Sequence, residues 1–422
     1  MRILVVGASG FIGRHLVPVL LQRHQLLWAA RTPPDFSHPS LTYVPVDLAR
    51  DTDSRDWLHR LDDVDVVINA AGILREHGMQ TFDAIHVRAP AALFDACAQR
   101  RIHRVIQLSA LGADEQAQSA YHLSKKAADD HLRKLRLSSV VVQPSLVFGA
   151  DGSSAELFCQ LAALPLVPVP GRGLQQVQPV HIDDLVDLIC VLVESPQVPA
   201  QIAATGPRAI TLRDYLREMR NAMSLSPARF LPVPMPLVRL DAAAARWLPG
   251  SLIDNDSVQM LERGNTSSCE PMAALLGRAP RDYAQFIRNG FEATALRQRA
   301  LLGCLLPMLR ISVALVWIVT GLVSAFVYPV DASLQLLART GIHGASGLLA
   351  LYGAAMLDLA FGVLTLFMRS RWLWIAQITL ILAYTLVITL RLPEFWSHPY
   401  GPLLKNLPML AAIFLLMSFE RR

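Results

Sequence analysis

The chain has 422 residues, 53% of them hydrophobic, and a mean hydropathy of +0.35, which is too apolar for an ordinary soluble protein of this size. Its net charge of +5 is unevenly spread: eight of the 39 basic and four of the 34 acidic residues lie in 301–422, leaving a balanced 31 and 30 in 1–300. That balance excludes the clustered positive surface of a nucleic-acid binder, and five scattered cysteines with no C-x-x-C pair exclude a disulfide framework and a zinc site and point to a reduced compartment.

In chain order, short β-branched runs at 3–6, 26–30, 42–46, 65–69, 104–109 and 139–143 alternate with helical patterns such as 11–23 and 90–100. The first apolar run is too short for a signal peptide and passes straight into a glycine turn. Strands alternating with helices predict parallel pairing with crossovers, hence a doubly wound sheet. Glycine and proline punctuate 149–180, and 181–300 reads as mainly helical, a smaller lobe closing over the carboxyl edge of the sheet. The predicted division is 1–180 for the nucleotide-binding domain, 181–300 for the lobe interleaved with it, and 301–422 for a membrane domain.

From 301 onward, apolar runs occupy 311–330, 341–368, 372–390 and 403–419, the second broken by Asp358 and the last carrying Lys405 near its start. Runs of about 20 apolar residues match the hydrocarbon thickness of a bilayer, so four spans are expected, the fourth marginal in length. Arg297, Arg299, Arg310, Arg369, Arg371, Arg421 and Arg422 then fall on one side. The positive-inside rule places that side, with the head and the C-terminus, in the cytoplasm of a bacterial-type inner membrane. The expected fold is an α/β Rossmann-type doubly wound parallel sheet with a small, mostly helical lobe, followed by an all-α four-helix transmembrane domain.

The segment Gly7-Ala-Ser-Gly10-Phe-Ile-Gly13 follows the first strand and opens the first helix. Gly7 suits the tight turn, Gly10 the approach of a pyrophosphate, and Gly13 close helix–sheet packing, with the anion on the helix N-terminus. Gly7, Ser9, Gly10, Phe11, Ile12, Gly13 and Arg14 are therefore candidate cofactor contacts. The second strand ends Trp28-Ala-Ala-Arg31, with alanine where NAD-selective sites carry an acid. Arg31 and Arg14 suit a 2′-phosphate, so NADP(H) is favoured and NAD(H) is the alternative; Asp47 is a candidate for the adenine edge.

Together with Asn69-Ala70-Ala71-Gly72 and Tyr121-His-Leu-Ser-Lys125, the glycine run resembles the short-chain dehydrogenase/reductase superfamily. Tyr121 and Lys125 are four apart on one helix face, where the ammonium can lower the phenol pKa so that Tyr121 exchanges a proton with a substrate oxygen as hydride moves. The resemblance implies that Lys125 also binds the nicotinamide ribose, that Ser109 holds the substrate oxygen, and that Asn69 holds a water or supports Lys125. Gln143-Pro144-Ser-Leu-Val-Phe-Gly149 and Pro179-Val-His-Ile-Asp-Asp184 are similar to the extended and atypical branch, adding Pro144, Ala70, Ala71 and Gly72 to the candidate cofactor contacts. Residues 230–290 resemble relatives of the nucleotide-binding accessory subunit of respiratory complex I. The 11 residues between Ser109 and Tyr121 suit that group, some of whose members bind NADPH tightly without evident turnover, and offer Ser119 as a substitute for Ser109.

Residues 301–422 resemble DoxX-like four-helix proteins through Gly321, the Gly353–Gly362 region and the run from Gly401 to Pro408. Asp358 either faces a polar interior or partner or hydrogen-bonds Thr385 or Gln377 between helices. Gly344, Gly347, Gly353, Ala354 and Ala355 suit close helix packing. The reading is a membrane-anchored NADP(H)-dependent oxidoreductase acting on a small hydrophobic carbonyl or a quinone, with the lipid bilayer as its surroundings and no nucleic acid. Its rival is a non-catalytic NADPH-binding assembly or sensor subunit docked on a membrane-protein partner.

Overall fold

A computed structural model describes residues 1–244, 255–287, 290–399 and 401–420; Arg421 and Arg422 lie outside them. The chain divides into two compact units, Met1–Ala300 and Leu301–Arg422, at the place where its composition changes from charged to apolar.

In the first unit, β1 (Arg2–Val6), β2 (Gln25–Ala30), β3 (Leu41–Pro45), β4 (Val66–Asn69), β5 (Arg104–Leu108), β6 (Ser139–Pro144) and β7 (Gln201–Ala204) form one sheet in the order 7-6-5-4-1-2-3. Every neighbouring pair is parallel. Successive residues point to opposite faces, so Ile3, Val5, Trp28, Ile68, Ile106 and Val142 pack under α1 (Phe11–Leu20) and α4 (Ile182–Glu194). On the other face Leu4, Val6, Leu27, Val67, Val105 and Val141 pack under α2 (Ala89–Arg100) and α3 (Ala120–Lys134). Burial on both faces explains why these strands are continuously apolar, each buried aliphatic side chain contributing about 1.5–3 kcal/mol. Order reverses between β1 and β4, which opens a crevice at their carboxyl ends.

The six predicted strands are present within a residue or so at their ends. The seventh was not anticipated: Gln201-Ile-Ala-Ala204 has one β-branched residue and no alternation, yet it pairs with β6. Since α4 and β7 lie beyond residue 180, the sheet and its helical layer extend past the predicted boundary. Buried Arg104 ties them in by donating to the Leu192 carbonyl at 2.8 Å, satisfying an orphan group at the end of α4. Beyond the sheet, helices at Ser153–Ala163, Leu212–Ala222, Met235–Ala244, Asn255–Arg263 and Glu270–Leu276 accompany three two-stranded pairings. Leu166–Pro170 pairs with Arg229–Val233, so the region is less purely helical than expected. The prolines at 168, 170 and 232 disguise these strands by removing ladder donors.

In the second unit, α5 (Gly290–Leu322, which begins before the division), α6 (Ala345–Phe367), α7 (Arg371–Arg391) and α8 (Asn406–Phe419) are joined by a short helix at Val330–Arg339 and loops. Among the described residues, three helices are long and apolar enough to cross a membrane, the first continuing to Val327. With 14 residues, α8 is about 21 Å long, short of a hydrocarbon core of about 30 Å. Its Ile413 and Leu416 are nonetheless buried with Trp317, Phe361, Trp374 and Ile381. Close packing comes from Gly321, where an added Cβ would lie 2.8 Å from the Ala355 carbonyl oxygen, and from Gly362, where it would strike Ile318 and the Ala314 carbonyl. Gly344 and Gly353 face open space, contrary to expectation.

Polar groups inside this unit are paired across helices. Gln377 accepts from Trp317 Nε1 at 2.9 Å and donates to Thr365 Oγ1 at 2.8 Å. Thr385 accepts from Asn406 at 2.9 Å. Neither expected partner therefore meets Asp358, which is buried with Oδ1 unsatisfied among the described residues. Arg310 gathers the Thr365 and Met368 carbonyls and pairs with Glu420 at 3.2 Å. Arg310, the 368–371 turn and Glu420 thus share one end, whereas Arg339 pairs with Glu394.

Candidate functional site

The glycine turn leaves β1 and enters α1 with Gly7 at φ +78°, a backbone region that disfavours side chains. A Cβ at Gly7 would come within 2.7 Å of the Ala71 backbone, and one at Gly13 would collide with the Gly7 and Ala8 carbonyls. Gly10 caps α1 without any side-chain hydrogen bond, so the first-turn N–H groups of Phe11, Ile12 and Gly13 have no partner within the helix. A cradle that side chains would fill, lined by unpaired N–H donors at a helix N-terminus, fits a pyrophosphate. Ser9 is exposed at its rim and Ile12 half-buried, while the Phe11 ring lies against Gly149 and Gly152.

The flanking charged candidates are differently engaged. Arg31 follows β2, its carbonyl accepting from the Tyr43 hydroxyl at 3.0 Å, and its exposed guanidinium lies beside the Gln80 amide. Arg14 instead pairs with Asp151 at 3.1 Å. Asp47 is held in a turn, its Oδ1 accepting from Ala49 N–H at 3.1 Å.

At the carboxyl ends of β4 and β5 the remaining candidates draw together. Lys125 is buried, and its ammonium donates to the Ala71 carbonyl at 3.2 Å and the Leu108 carbonyl at 3.1 Å. Gly72 leaves it room, since a Cβ there would lie 3.0 Å from Nζ. Asn69 is turned elsewhere: its amide donates to Gln107 Oε1 at 2.8 Å and its Oδ1 accepts from Ala71 N–H at 3.3 Å. The Ala70 N–H is committed to the Val6 carbonyl at 2.9 Å, and the Pro144 carbonyl accepts from Leu111 N–H at 2.9 Å. Ser109 is buried and donates from Oγ to Asp129 Oδ2 at 2.5 Å. Ser119 caps α3 by accepting from His122 N–H at 3.2 Å, a role that uses a lone pair of its oxygen and not its proton.

Four polar residues of this site were missed. Asp129 is fully buried on α3, continuing the stripe Tyr121, Lys125, Asp129 at intervals of four; that spacing was readable in advance. His86 and Ser124 form a relay beneath Tyr121. His86 Nε2 accepts from Ile73 N–H at 3.0 Å, which assigns the ring proton to Nδ1 and directs it to Ser124 Oγ at 2.9 Å; Ser124 donates onward to the Tyr121 carbonyl at 2.8 Å. The His86 ring stacks on Phe82 and meets Tyr121 edge-on. Gln107 bridges toward Asn69. No local signal marks His86 or Gln107, because only the fold brings their strands and helices together.

The electrostatics reverse one expectation. Burial first, and Asp129 second, push the Tyr121 phenol up to about 12, where Lys125 was expected to lower it. Burial pushes Lys125 down to about 8 against the pull of Asp129. It pushes Asp129 up to about 6 despite the Ser109 hydrogen bond and the charges of Lys125 and Arg133. Burial, then Lys125, drive His86 down to about 2, which keeps the ring neutral. A second clamp acts from outside. On the helix Asn255–Arg263, Arg263 donates to the Gly112 carbonyl at 2.6 Å and to Asp114 at 2.5 Å, while Asp256 accepts from Ala120 N–H at 3.2 Å. Both ends of the loop leading from Ser109 to Tyr121 are thereby fixed.

Residues 3–203 match the NAD dependent epimerase/dehydratase family, and residues 314–414 the DoxX-like family; the latter match, over the apolar helices, makes this a membrane protein. Among curated proteins, a ceramide reductase of Caulobacter vibrioides is 27% identical over 283 residues, covering 64% of this chain and 87% of that protein. Subunit 9 of the NADH dehydrogenase [ubiquinone] 1 alpha subcomplex of Mus musculus is 28% identical over 244 residues, covering 55% of this chain and 63% of the subunit. Among solved structures, UDP-glucuronic acid 4-epimerase from Bacillus cereus in complex with UDP-glucuronic acid and NAD superposes with a TM-score of 0.52 at 18% identity, over 71% of this chain and 99% of that one. MoeE5 in complex with UDP-glucuronic acid and NAD gives 0.51 at 19%, over 67% and 94%. These likenesses carry the fold.

Proposed function

We propose, from the premise that this chain joins an epimerase-type nucleotide-binding domain of the short-chain dehydrogenase/reductase kind to a DoxX-like membrane domain, that it is a membrane-anchored reductase of a hydrophobic carbonyl. NADP(H) is the favoured nucleotide, with Arg31 on its 2′-phosphate. The observation that carries this reading is the gathering of Lys125, Ser109 and Asp129 beneath Tyr121 at the crevice of the sheet.

The turn from Gly7 to Gly13 would hold the pyrophosphate, and Lys125 the nicotinamide ribose. When bound, the reduced nicotinamide supplies hydride. The chain's own part is to orient and protonate: Ser109 holds the carbonyl oxygen and Tyr121 hands it a proton. A phenol raised to about 12 keeps its proton at neutral pH, which suits a donor in the reducing direction better than a base in the oxidising one. Likeness to a ceramide reductase supports a lipid-like carbonyl over a quinone. The basic end of the membrane domain, with Arg310, Arg369 and Arg371, supports a cytoplasmic head.

A second reading, a non-catalytic nucleotide-binding subunit of a membrane complex, is favoured by the likeness to the complex I subunit. Tyr121→Phe separates the two. Purified full-length protein in detergent, given NADPH and a long-chain aldehyde, is expected to lose roughly a hundredfold or more in kcat with this change while binding NADPH as before. Wild type that binds NADPH yet reduces neither aldehyde nor quinone would favour the subunit.

A further inference from the structure

Among the described residues of the first unit, two aspartates, Asp129 and Asp184, are fully buried, and their surroundings differ in kind. Asp184 is met by Arg278 at 2.6 Å, by Arg281 at 3.5 Å and by the Arg281 backbone N–H at 2.8 Å. Asp129 has the Ser109 hydroxyl at 2.5 Å on Oδ2. Among the described residues its Oδ1 has no hydrogen-bond partner and it enters no ion pair. The groups facing it are Lys125 and Arg133 along α3, the Tyr121 phenol, and Gln107 and Ser109 from β5 and its end. A carboxylate sealed from water without a cation in contact is costly to keep charged, and such a group takes up a proton instead.

The protonation of Asp129 decides what Ser109 can do. A hydroxyl has one proton to give. Facing a carboxylate, Ser109 must donate to it and can then only accept from a substrate, which is the wrong polarity for a carbonyl oxygen. Facing a carboxylic acid, Ser109 can accept through Oγ, and its own proton turns toward the crevice.

We propose that Asp129 is a positioning residue that works as a neutral carboxylic acid, donating to Ser109 Oγ so that the Ser109 hydroxyl donates to the carbonyl oxygen of the substrate. The assignment rests on the carbonyl-reductase reading and deepens it. Asp129 keeps its proton throughout; no bond is made or broken at it. Because burial holds this carboxyl near 6, the donor form dominates below that pH and is titrated away above it.

The test is a pH profile of NADPH oxidation by decanal with the full-length protein in detergent, paired with infrared difference spectra of the protein alone. Wild type is expected to show kcat falling as pH rises past about 6, by up to tenfold for each pH unit. Asp129→Asn, whose amide can donate at every pH, is expected to lose that limb. Ser109→Ala is expected to lower kcat roughly a hundredfold and to make a further Asp129→Asn change silent. Spectra should contain a carboxylic C=O stretch at pH 5 that fades toward pH 8 and is missing from Asp129→Asn. An unchanged limb in Asp129→Asn, or spectra with no such band assignable to Asp129 at pH 5, overturns the proposal. If wild type fails to reduce decanal, the reductase reading falls, and the infrared band still decides the protonation of Asp129.

Discussion

Arg31 stands at the end of β2 with an exposed guanidinium, while Arg14, the other candidate for a 2′-phosphate, is already paired with Asp151. The two are therefore not equivalent, and on the proposed NADP(H) reading the 2′-phosphate contact falls to Arg31. Arg31→Ala is expected to weaken NADPH by about tenfold or more, the loss of one charge-assisted contact, and to leave NADH nearly unchanged. Calorimetric titration of both nucleotides checks this; equal losses would overturn the 2′-phosphate role of Arg31. At this scale the sequence was legible where chemistry follows a local period. Tyr121 and Lys125 follow from a spacing of four, and Asp129 continues it. His86 was not legible, since its hydrogen-bond partners Ile73 and Ser124 meet it through a backbone turn and a neighbouring helix. The raised Tyr121 phenol was misjudged for a related reason: spacing reports the nearest charge, but burial outweighs it.

The elements of the first unit were legible where a strand is buried on both faces, because continuous β-branched runs have few other uses. β7 and the proline-bearing pairing of 166–170 with 229–233 escaped notice, as their pairing is set by neighbours rather than by their own residues. In the second unit, helix existence was plain and helix contacts were not. Glycine marks a candidate close approach, but which face carries it depends on rotation about the helix axis. Gly362 lies against Ile318 and the Ala314 carbonyl, while Gly353 on the same helix meets nothing within 4 Å. Gly362→Leu is thus expected to destabilise the unit by about 1–3 kcal/mol or more, and Gly353→Leu by little. Thermal unfolding in detergent, followed for both variants side by side, checks the pair; similar losses would mean that the Gly353 face is also packed.

Across the whole molecule, near-neutral residues 1–300 precede a net +4 carried by residues 301–422, so the basic character of the chain belongs to its membrane portion and not to a polyanion surface. On the reductase reading, an enzyme so anchored should draw its substrate from the lipid phase. With a carbonyl confined to the bilayer, turnover is expected when enzyme and substrate share a vesicle, and to fall to the pace of lipid exchange when they are supplied in separate vesicles. Equal initial rates in both mixtures would show that the substrate arrives through water.

The pairing of Arg310 with Glu420 links the first long helix of the second unit to the end of the last. A ribosome delivers these two residues 110 positions apart, and synthesis runs from the N-terminus. Arg310 therefore waits through the making of α6 and α7 before its counter-ion exists, and this latch can close only once α8 has been made. The two ends of the helical unit are thus tied by a contact that its order of synthesis makes last, so a chain halted before Glu420 would carry Arg310 without that counter-ion.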